Sequence, residues 1–557
     1  MDVGEMQKKL SQWAEQDKEL RFFDLYHLLH QEDWIGTAQV HVKRNVGSRT
    51  AGCDGVTMRG FEEDLEGNLR NLQKTIKEGR FEPQPVRRTY IQEIKPGGRI
   101  KMRPLGIPDI QDRIVQEALR MVLEPIWEAD FSRHSYGFRP NRSTKDAVAY
   151  IGARLTGSKS YGWVVEGDIQ SFFDTMDHYK LMQLVRKRVR DEKLMDLIWS
   201  CLRAGIMEQG NYRHSLLGTP QGGIVSPLLA NIYLHELDRY MERYTGLQKL
   251  EREKRKRHGL ANFLYVRYAD DWVVLCDGTR EQADALRREL YEFLKQELKL
   301  ELSMEKTRVT HVSEGFVFLG FLIDRSIVGS GKWAPRIRIP ANAVEKVRRK
   351  MQAALAPETH RDSVRTRILG LNRIIGGWCR YYQTTSSPAY YFGKLGNELF
   401  LGMAHWLGRK YELSMPQVMR RFRQGNSFGT SRTILGRPEE FTAQRHRLRT
   451  IPNPYTPEAI NIQREELDSL EEEWVGTERR RGEGDRKEEV YQRDNGICGI
   501  CGNFVPWEEA ELDHRIPRAR FNPLEGGDRW ENRQILHANP CHQMKTKRDR
   551  QGGRRVR

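Results

Sequence analysis

Residues 263–276, which read FLYVRYADDWVVLC, constrain the fold more than any other stretch of this sequence. Two runs of β-branched and aromatic residues flank adjacent carboxylates, Asp270 and Asp271, and this pattern predicts a β-hairpin. Hairpin turns normally use Asn-Gly or Asp-Gly because the turn needs positive φ angles, and two neighbouring acids repel each other there. The pair is explained if a divalent cation binds at the turn and is shared with a third carboxylate. An isolated Asp pair would be a solvated turn, so this interpretation requires a third acid elsewhere in the chain.

A third carboxylate follows another strand-like run. Residues 162–178 read GWVVEGDIQSFFDTMDH, and Asp168 ends the apolar part of this stretch. Two metal ions held about 3.5–4 Å apart by such acids would activate an attacking 3′-hydroxyl and stabilise a pyrophosphate leaving group. Phe173 would pack beneath an incoming sugar and exclude a 2′-hydroxyl, and ordinary core packing is its alternative role. Asp174 and Asp177 fit helix caps better than metal ligands.

The composition indicates a polyanionic partner. The 557 residues carry a formal net charge of +17, and basic residues recur beside aromatic ones. Nucleic acid is the leading candidate, and a basic chain without such a partner is the alternative. The length predicts about three or four domains. No apolar run approaches the ~18 residues of a membrane span, and the start of the chain is expected to be neither a signal nor a transit peptide.

A cationic hairpin is predicted ahead of these acids. Residues 90–108 (YIQEIKPGGRIKMRPLGIP) read as two strands around a Pro-Gly-Gly turn. Such a hairpin can place guanidinium and ammonium groups on phosphates, with Arg103 as the first candidate and Lys95 as the second. A solvated hairpin tip explains this stretch equally well when it is taken alone.

Further basic and glycine-rich stretches suit contacts with a nucleotide or a sugar-phosphate backbone. Residues 134–143 (HSYGFRPNRS) interleave aromatics with arginines, and the three candidates are Arg133, Arg139 and Arg142. Residues 217–238 (LGTPQGGIVSPLLANIYLHELD) contain glycines that permit close backbone approach to a ligand. Gln221, which lies between these glycines, is a candidate nucleotide-binding residue. Lys306 is placed to reach a pyrophosphate as a general acid, and a solvated lysine is the competing interpretation.

Taken in order, these stretches resemble the motifs of a reverse transcriptase. FFD after Asp168, LGTPQGGIVSPLLAN, YADD and FLGF carry the resemblance, and RPLGIPDIQDR, HSYGFRPNRS and GTPQGG resemble the form in proteins encoded within group II introns. The similarity spans residues 40–325 and implies a fingers–palm architecture, Mg²⁺ and an RNA template copied into DNA. It assigns Asp168, Asp270 and Asp271 as catalytic carboxylates. The implied ligands of two Mg²⁺ ions are Asp168, Ile169, Asp270 and Asp271.

Residues 340–485, which follow this region, are predicted to contact nucleic acid, and no catalytic residue is assigned among them. Residues 340–412 show apolar helical stripes with arginines off that face, and GGWCRYYQ (376–383) is similar to the maturase domain of the same family, which binds the parent intron and helps it splice. Residues 415–485 are polar and interrupted by prolines, which predicts a DNA-contacting connector and then a mobile linker. Within the earlier region, the charged stretch 251–258 (EREKRKRH) is predicted to be a solvated loop.

The C-terminal tail carries the spacing of a zinc site. Cys498 and Cys501 form a CxxC pair, and His537 with Cys541 would complete a tetrahedral site about 36 residues later. His537 is either a ligand of this site or a bystander.

The same tail resembles an HNH nuclease of the ββα-metal type, because His514, Asn532 and His542 occur in the order that names that family. The resemblance implies that His514 is the general base on a water and that Asn532 orients it. Asp513 and His542 would hold one divalent ion. A purely structural zinc ribbon is the alternative.

Together, the resemblances imply a group II intron-encoded protein with reverse transcriptase, maturase and DNA endonuclease activities. Bound to its excised intron RNA, it would recognise a DNA target and let the RNA insert into one strand. The HNH domain would nick the other strand, and the polymerase would extend that 3′-end along the intron with dNTPs. A splicing factor with vestigial enzyme sites and a host-domesticated repair polymerase are the two alternatives.

The expected fold is a multidomain α+β chain with right-hand fingers and palm, an α-helical thumb/maturase domain, and a small zinc-containing HNH domain. Expected partners are intron RNA, target DNA and dNTPs, without a membrane, in the bacterial cytoplasm at the nucleoid; a homodimer is an open alternative for the assembly. The domain boundaries expected for the extension, polymerase, thumb/maturase, connector and nuclease are 1–85, 86–325, 326–425, 426–485 and 486–557.

Overall fold

The structure is a computed structural model that divides into two compact units. The first comprises Met1–Arg348, Trp378–Gly393 and Phe441–Asn461, and the second comprises Arg349–Gly377, Lys394–Glu440 and Ile462–Arg557. The residues that the structure describes are 2–94, 100–157, 161–208, 211–213, 217–219, 222–303, 307–327, 333–430, 433–446, 448–456, 459, 490–491, 493–494, 497–501, 503, 505, 510–514 and 533–537.

Helices and strands alternate in long blocks along the described chain. The α-helices are α1 (Val3–Gln16), α2 (Tyr26–Leu29), α3 (Glu32–Arg44), α4 (Met58–Phe61), α5 (Leu65–Lys77), α6 (Ile110–Glu128), α7 (Thr144–Arg154), α8 (Phe172–Thr175), α9 (His178–Val185), α10 (Glu192–Arg203), α11 (Ser226–Thr245), α12 (Lys249–Arg257), α13 (Arg280–Leu298), α14 (Ala341–Ala354), α15 (Val364–Tyr382), α16 (Pro388–Tyr411) and α17 (Met415–Phe422). The strands are β1 (Val86–Ile94), β2 (Ile100–Ile107), β3 (Trp163–Asp168), β4 (Ile206–Glu208), β5 (Asn211–Arg213), β6 (Phe263–Tyr268), β7 (Asp271–Cys276), β8 (Arg308–His311), β9 (Phe316–Phe318), β10 (Phe321–Ile327), β11 (Trp333–Arg338), β12 (Arg423–Gln424), β13 (Ser427–Thr430), β14 (Thr433–Ile434), β15 (Ala510–His514) and β16 (Arg533–His537).

One four-stranded antiparallel sheet carries the acids predicted from the sequence. Its strand order is β6-β7-β3-β8, and one face packs on a large apolar core that includes residues of α6, α11 and α13. Residues on that face alternate with residues on the other, as the two-residue period of a strand requires. Gly167 is needed in β3 because a Cβ there would lie 2.0 Å from the ring of Trp272.

Two further sheets belong to the first unit. The β1–β2 hairpin is antiparallel and belongs to a sheet of order β2-β1-β4-β5, while β11-β10-β9 form a separate sheet. In β2, Arg103 lies opposite Ile91. This places the predicted phosphate-binding hairpin on its own sheet.

In the described part of the second unit, apolar residues pack both among the helices and in the tail. Trp406 of α16 is buried and donates its indole N–H to the hydroxyl of Thr359 at 2.9 Å, and Phe400 packs on Phe428 of β13 with ring centroids 4.6 Å apart. In the tail, β15 and β16 form an antiparallel pair, and the buried apolar cluster described there is Val490, Cys498, Val505, Ala510, Ile535 and Leu536.

Two predictions from charge patterns are wrong. Residues 251–258 were expected to be a loop, but most of this stretch lies in helix α12, which begins with a capping box between Gln248 and Glu251. Lys, Arg and Glu are good helix formers, so a fully charged stretch forms an exposed helix. Arg139 was expected to contact a nucleic-acid backbone, but it is buried in an ion pair with Glu128 at 2.8 Å.

Part of the predicted connector is held within the first unit. The backbone N–H of Gln444 bonds the carbonyl of Gln383 at 2.9 Å, and His446 contacts the carboxylate of Asp146 at 2.8 Å. These bonds hold Gln444 and His446 against side chains and backbone of the first unit, in a stretch whose polar, proline-interrupted sequence predicted contact with DNA. Among the described helices, none has the length and apolar character needed to cross a membrane.

Candidate catalytic sites

The three carboxylates meet at one end of the four-stranded sheet. The β6–β7 hairpin closes between Tyr268 and Asp271, with Ala269 at φ +55° and Asp270 in the turn. Asp168, the last residue of β3, lies directly opposite Asp271, the first residue of β7. Sheet register therefore brings together acids that are about a hundred residues apart in sequence.

The electrostatics of this cluster fit a divalent cation. Burial and the nearby negative charge of Asp168 raise the pKa of Asp270, while Arg103 and Arg267 lower it. A carboxylate that is desolvated and repelled by another carboxylate gains most from a cation between them. The Arg103 contribution also shows that the cationic hairpin lies near enough to act on the acids.

A buried ion pair supports the β6–β7 hairpin, which carries Asp270 and Asp271. Arg267 of β6 is 0% exposed and donates to both oxygens of Asp238 in α11, at 2.7 and 2.6 Å. Its Nη1 also donates to the side-chain oxygen of Asn231 at 2.9 Å and to the backbone carbonyl of Ala269 at 3.0 Å. Burial would raise the pKa of Asp238, but the guanidinium holds it well below its usual value. Arg267 thus ties the turn that carries Asp270 to helix α11.

The loop after α6, at residues 134–137, contacts the same turn. The N–H of Tyr136 bonds the carbonyl of Arg267 at 2.8 Å, and the N–H of Arg267 bonds the carbonyl of His134 at 2.9 Å. A Cβ on Gly137 would lie 2.2 Å from the backbone nitrogen of Ala269, and the carbonyl of Gly137 accepts from Asn231 at 2.8 Å. The loop that was predicted to contact nucleic acid therefore supports the β6–β7 hairpin directly.

Sequence reasoning missed this support, although a signal was present. Asn231 and Asp238 are seven residues apart, so they lie on the same face of α11 as its buried apolar residues. Two polar residues on the buried face of a helix require a polar partner, and Arg267 in an otherwise apolar strand is the matching group.

The glycine-rich loop touches both the cationic hairpin and Phe173. A Cβ on Gly222 would lie 2.3 Å from the carbonyl of Gly106 in β2, and a Cβ on Gly218 would lie 2.5 Å from the carbonyl of Phe173. The N–H of Thr219 donates to that same carbonyl at 2.7 Å. The loop glycines are thus required for close contact between backbones, and Gln221 within the loop lies outside the described residues.

The other predicted residues near this site have distinct environments. Phe173 is half-buried against Phe172, with ring centroids 5.4 Å apart. Ile169 is buried in the core, so only its backbone is available to a ligand.

Asp177 accepts from the N–H of Lys180 at 2.7 Å as the N-cap of α9, as predicted. The remaining two candidates, Lys95 and Lys306, lie outside the described residues.

A second cluster of potential metal ligands lies in the tail. Cys498, Cys501 and His537 each offer one donor atom, and these atoms lie within 4.8 Å of one another. Burial would raise the pKa of the Cys498 thiol, but N–H groups of Cys501, Ile500 and His537 lower it to about 6. A thiol that ionises this readily fits a zinc ligand. Cys541, the predicted fourth ligand, lies outside the described residues.

The predicted nuclease residues are described only in part. Asp513 lies on β15 opposite Gln534 of β16, and His514 is the last residue of β15, opposite Arg533. Only the backbone of His514 is described, and Asn532 and His542 lie outside the described residues. In the described part of the tail, β15 and β16 are antiparallel, and Asp513 and His514 are the last two residues of β15.

Comparison with known proteins gives three domain matches. Residues 94–323 match the family described as reverse transcriptase (RNA-dependent DNA polymerase), residues 344–424 match the group II intron maturase-specific domain, and residues 498–548 match the HNH endonuclease family. The first and third of these domains are those of an RNA-directed DNA polymerase and an endonuclease. The three matches follow the order predicted from the sequence.

Several known proteins are similar to this chain in sequence over about half of its length. Protein YkfC of Escherichia coli is 40% identical over 343 residues, covering 58% of this chain and 89% of that protein. The group II intron-encoded protein LtrA of Lactococcus lactis is 37% identical over 360 residues, covering 56% of this chain and 59% of LtrA. An uncharacterised 91 kDa protein in the cob intron of Schizosaccharomyces pombe is 34% identical over 340 residues, covering 54% of this chain and 41% of that protein. The chain belongs to the family of group II intron-encoded proteins, with a reverse transcriptase, a maturase-specific and an HNH endonuclease domain.

Proposed function

We propose that the sheet site carries out target-primed reverse transcription, in which dNTPs are added to a DNA 3′-end along an intron RNA template. The observation that carries this proposal is the register that sets Asp168 opposite Asp271, beside Asp270 in the turn. Three acids at one sheet end, with a raised carboxyl pKa among them, suit two Mg²⁺ ions. Bound Mg²⁺ would supply charge neutralisation and activation of the 3′-hydroxyl.

The surrounding residues would hold the nucleotide. Arg103 and Lys95 bind the triphosphate, Gln221 contacts the nucleotide from the glycine-rich loop, and Lys306 donates a proton to the leaving pyrophosphate. Phe173 lies beneath the sugar and excludes a 2′-hydroxyl. The contacts of the glycine-rich loop with both Gly106 and Phe173 support this arrangement, because they join the triphosphate side of the site to the sugar side.

The overall arrangement we propose is that of a right hand. Residues 1–85 would be the extension and start of the fingers, 86–325 fingers and palm, 326–425 thumb and maturase domain, 426–485 a DNA-binding connector, and 486–557 the nuclease. The matched families support this division because their boundaries, 94–323, 344–424 and 498–548, fall inside it.

The tail would nick the DNA strand that later serves as primer. His514 acts as general base on a water, Asn532 orients His514, and Asp513 with His542 holds one divalent ion. Structural zinc would be held by Cys498, Cys501, His537 and Cys541. The grouping of three of these donor atoms supports His537 as a ligand rather than a bystander.

Intron RNA would be the partner that directs both reactions. Arg365, Arg373 and Arg380 lie exposed on α15. Ile368, Leu371 and Ile375 of the same helix are buried. Cations on one helix face suit an RNA backbone. The protein LtrA, which this chain resembles, is named for the group II intron that encodes it. We propose that this chain likewise binds its own intron, assists splicing and supports retrohoming.

The decisive test is primer extension on an RNA template with Mg²⁺, comparing the wild type with Asp270→Ala. The proposal requires cDNA from the wild type and none above background from the variant. If the wild type makes no cDNA but still promotes splicing of its intron, the protein acts as a maturase alone and the polymerase proposal is wrong.

A further inference from the structure

The loop that supports the catalytic hairpin also carries an unusual aromatic residue. Phe138 follows Gly137, whose backbone is fixed against Ala269 and by the Asn231 side chain. Phe138 has φ +56°, a left-handed conformation that bulky residues rarely adopt, and the residue is 51% exposed. An exposed ring in a strained conformation occurs mostly where surrounding structure and function require it.

The exposed ring of Phe138 meets Phe173. The two ring centroids are 6.4 Å apart with an interplanar angle of 74°, which is an edge-to-face contact. On its other side, Phe173 meets Phe172 at 5.4 Å and 64°, and Phe172 is buried. Phe173 therefore lies between a core ring and a ring held by the hairpin-supporting loop.

The backbone of Phe173 is also fixed, so its freedom lies mainly in its side chain. The carbonyl of Phe173 accepts from Thr219 at 2.7 Å, with Gly218 in close contact. With the backbone held there, removal of a neighbouring ring would let the Phe173 side chain turn into the vacated space. Among the described residues, Phe138 is the aromatic residue that packs on the Phe173 ring on the side away from Phe172.

We infer that Phe138 is a specificity-determining positioning residue, which holds the Phe173 ring against the sugar of the incoming nucleotide. This inference rests on the proposed function, in which Phe173 excludes a 2′-hydroxyl. Phe138 acts through Phe173 and does not itself contact the reacting atoms. It links the position of the catalytic turn to the choice between deoxyribonucleotides and ribonucleotides.

The test measures the ratio of kcat/KM for a dNTP to kcat/KM for the matching rNTP in the full chain with Mg²⁺. Phe138→Gly removes the ring and keeps the positive φ at no steric cost, so the loop retains its backbone conformation. The expected ratio falls about tenfold, within the range that a small steric change in a pocket produces. Phe138→Tyr keeps the ring and is expected to keep the ratio. The matched control is Tyr179→Ala, which removes an exposed ring that packs on Trp199 at 5.0 Å.

The double variant separates the possible outcomes. If Phe173→Ala lowers the ratio and Phe138→Gly adds nothing to it in the double variant, Phe138 acts through Phe173 and the inference holds. The inference is wrong, with the proposed role of Phe173 intact, if Phe138→Gly keeps the wild-type ratio, changes both substrates equally, or adds independently to Phe173→Ala. If Phe173→Ala itself leaves the ratio unchanged, the sugar-excluding role fails, and the inference fails with it.

Discussion

The carboxylate cluster of the four-stranded sheet and the Cys/His cluster of the tail assemble their side chains in different ways. In the sheet, Asp168 and Asp271 meet through strand register, and the sheet rests on a large apolar core. In the tail, Cys498 and Cys501 are local neighbours, and His537 joins them from β16 beside a small buried cluster. A metal in the first case would be bound by a preformed structure, whereas in the second it would help to form the structure.

The pKa shifts have opposite directions in the two clusters. Burial and like charge raise the pKa of Asp270, while N–H donors lower that of Cys498 to about 6. The sheet site is therefore under electrostatic strain without a cation, and the tail stabilises its thiolate through the backbone. This difference predicts that loss of a carboxylate ligand would affect catalysis more than stability, and loss of a cysteine ligand would do the reverse.

The largest expected effect is on catalysis at the sheet site. Asp168→Asn keeps the shape of the side chain but removes a charge, and we expect cDNA synthesis to fall by more than about 10³-fold. Relief of repulsion with Asp270 should leave the thermal midpoint within about 2 °C of the wild type or raise it. Primer extension and a thermal melt measure the two quantities. Asp196→Asn, an exposed acid on α10, is the matched control. A large drop in the midpoint for Asp168→Asn would show that this cluster is structural.

The next largest effect should be on the fold of the tail. Cys498→Ser is expected to remove bound zinc and to make the tail sensitive to protease, because structural zinc contributes about 10 kcal/mol or more to small zinc domains. Primer extension should stay within about twofold of the wild type, since the sheet site has its own core. Zinc content and limited proteolysis are the measurements. Cys53→Ser, which changes an exposed thiol, is the control. Equal protease resistance of Cys498→Ser and the wild type would mean that the cluster holds no structural metal.

A smaller effect should distinguish support of the hairpin from general stability. Arg267→Lys keeps a positive charge beside Asp238 but loses the bonds to Asn231 and Ala269. We expect the Mg²⁺ concentration for half-maximal synthesis to rise, with the rate at low Mg²⁺ falling about 10²-fold, because ligand misplacement of about 1 Å has this effect. Arg188→Lys is the matched control, since Arg188 is also buried and donates to backbone carbonyls of the α1 region. If both variants change stability alike and neither changes the Mg²⁺ dependence, Arg267 has no positioning role.

Local sequence patterns predicted the chemistry of both sites, but not the contacts that hold them. The hairpin around Asp270 and the CxxC pair are visible because their residues are neighbours in sequence. The support by Arg267, Asn231 and Asp238 was missed, because it depends on which face of α11 meets β6. Such pairing is decided by tertiary packing, and only the seven-residue spacing in α11 hinted at it.

Charge was the least reliable guide to structure. Residues 251–258 were predicted to be a loop because of their charge, yet intrinsic propensity makes most of them helical. Arg139 was predicted to contact nucleic acid, yet it pairs with Glu128, eleven residues earlier. A sequence shows that a charge is present, whereas burial decides whether its partner is a ligand or another side chain.

The smallest expected effect tests burial as the cause of a raised carboxyl pKa, at an acid outside the metal cluster. Asp112 of α6 is buried, and burial raises its pKa from 3.8 to about 7, although the N–H of Gln84 donates to it at 3.0 Å. The folded state therefore holds a proton between these two values that the unfolded state releases, so stability contributed by this group rises as the pH falls from about 8 towards 5. Asp112→Asn removes the titration and should stabilise the protein by about 1–2 kcal/mol at pH 8, with a smaller difference at pH 5.

Thermal midpoints of the variant and the wild type at both pH values measure this difference in stability, with Asp196→Asn again as the exposed control. The same difference at both pH values would mean that Asp112 is ionised throughout, and that the N–H donor outweighs burial here as it does at Cys498.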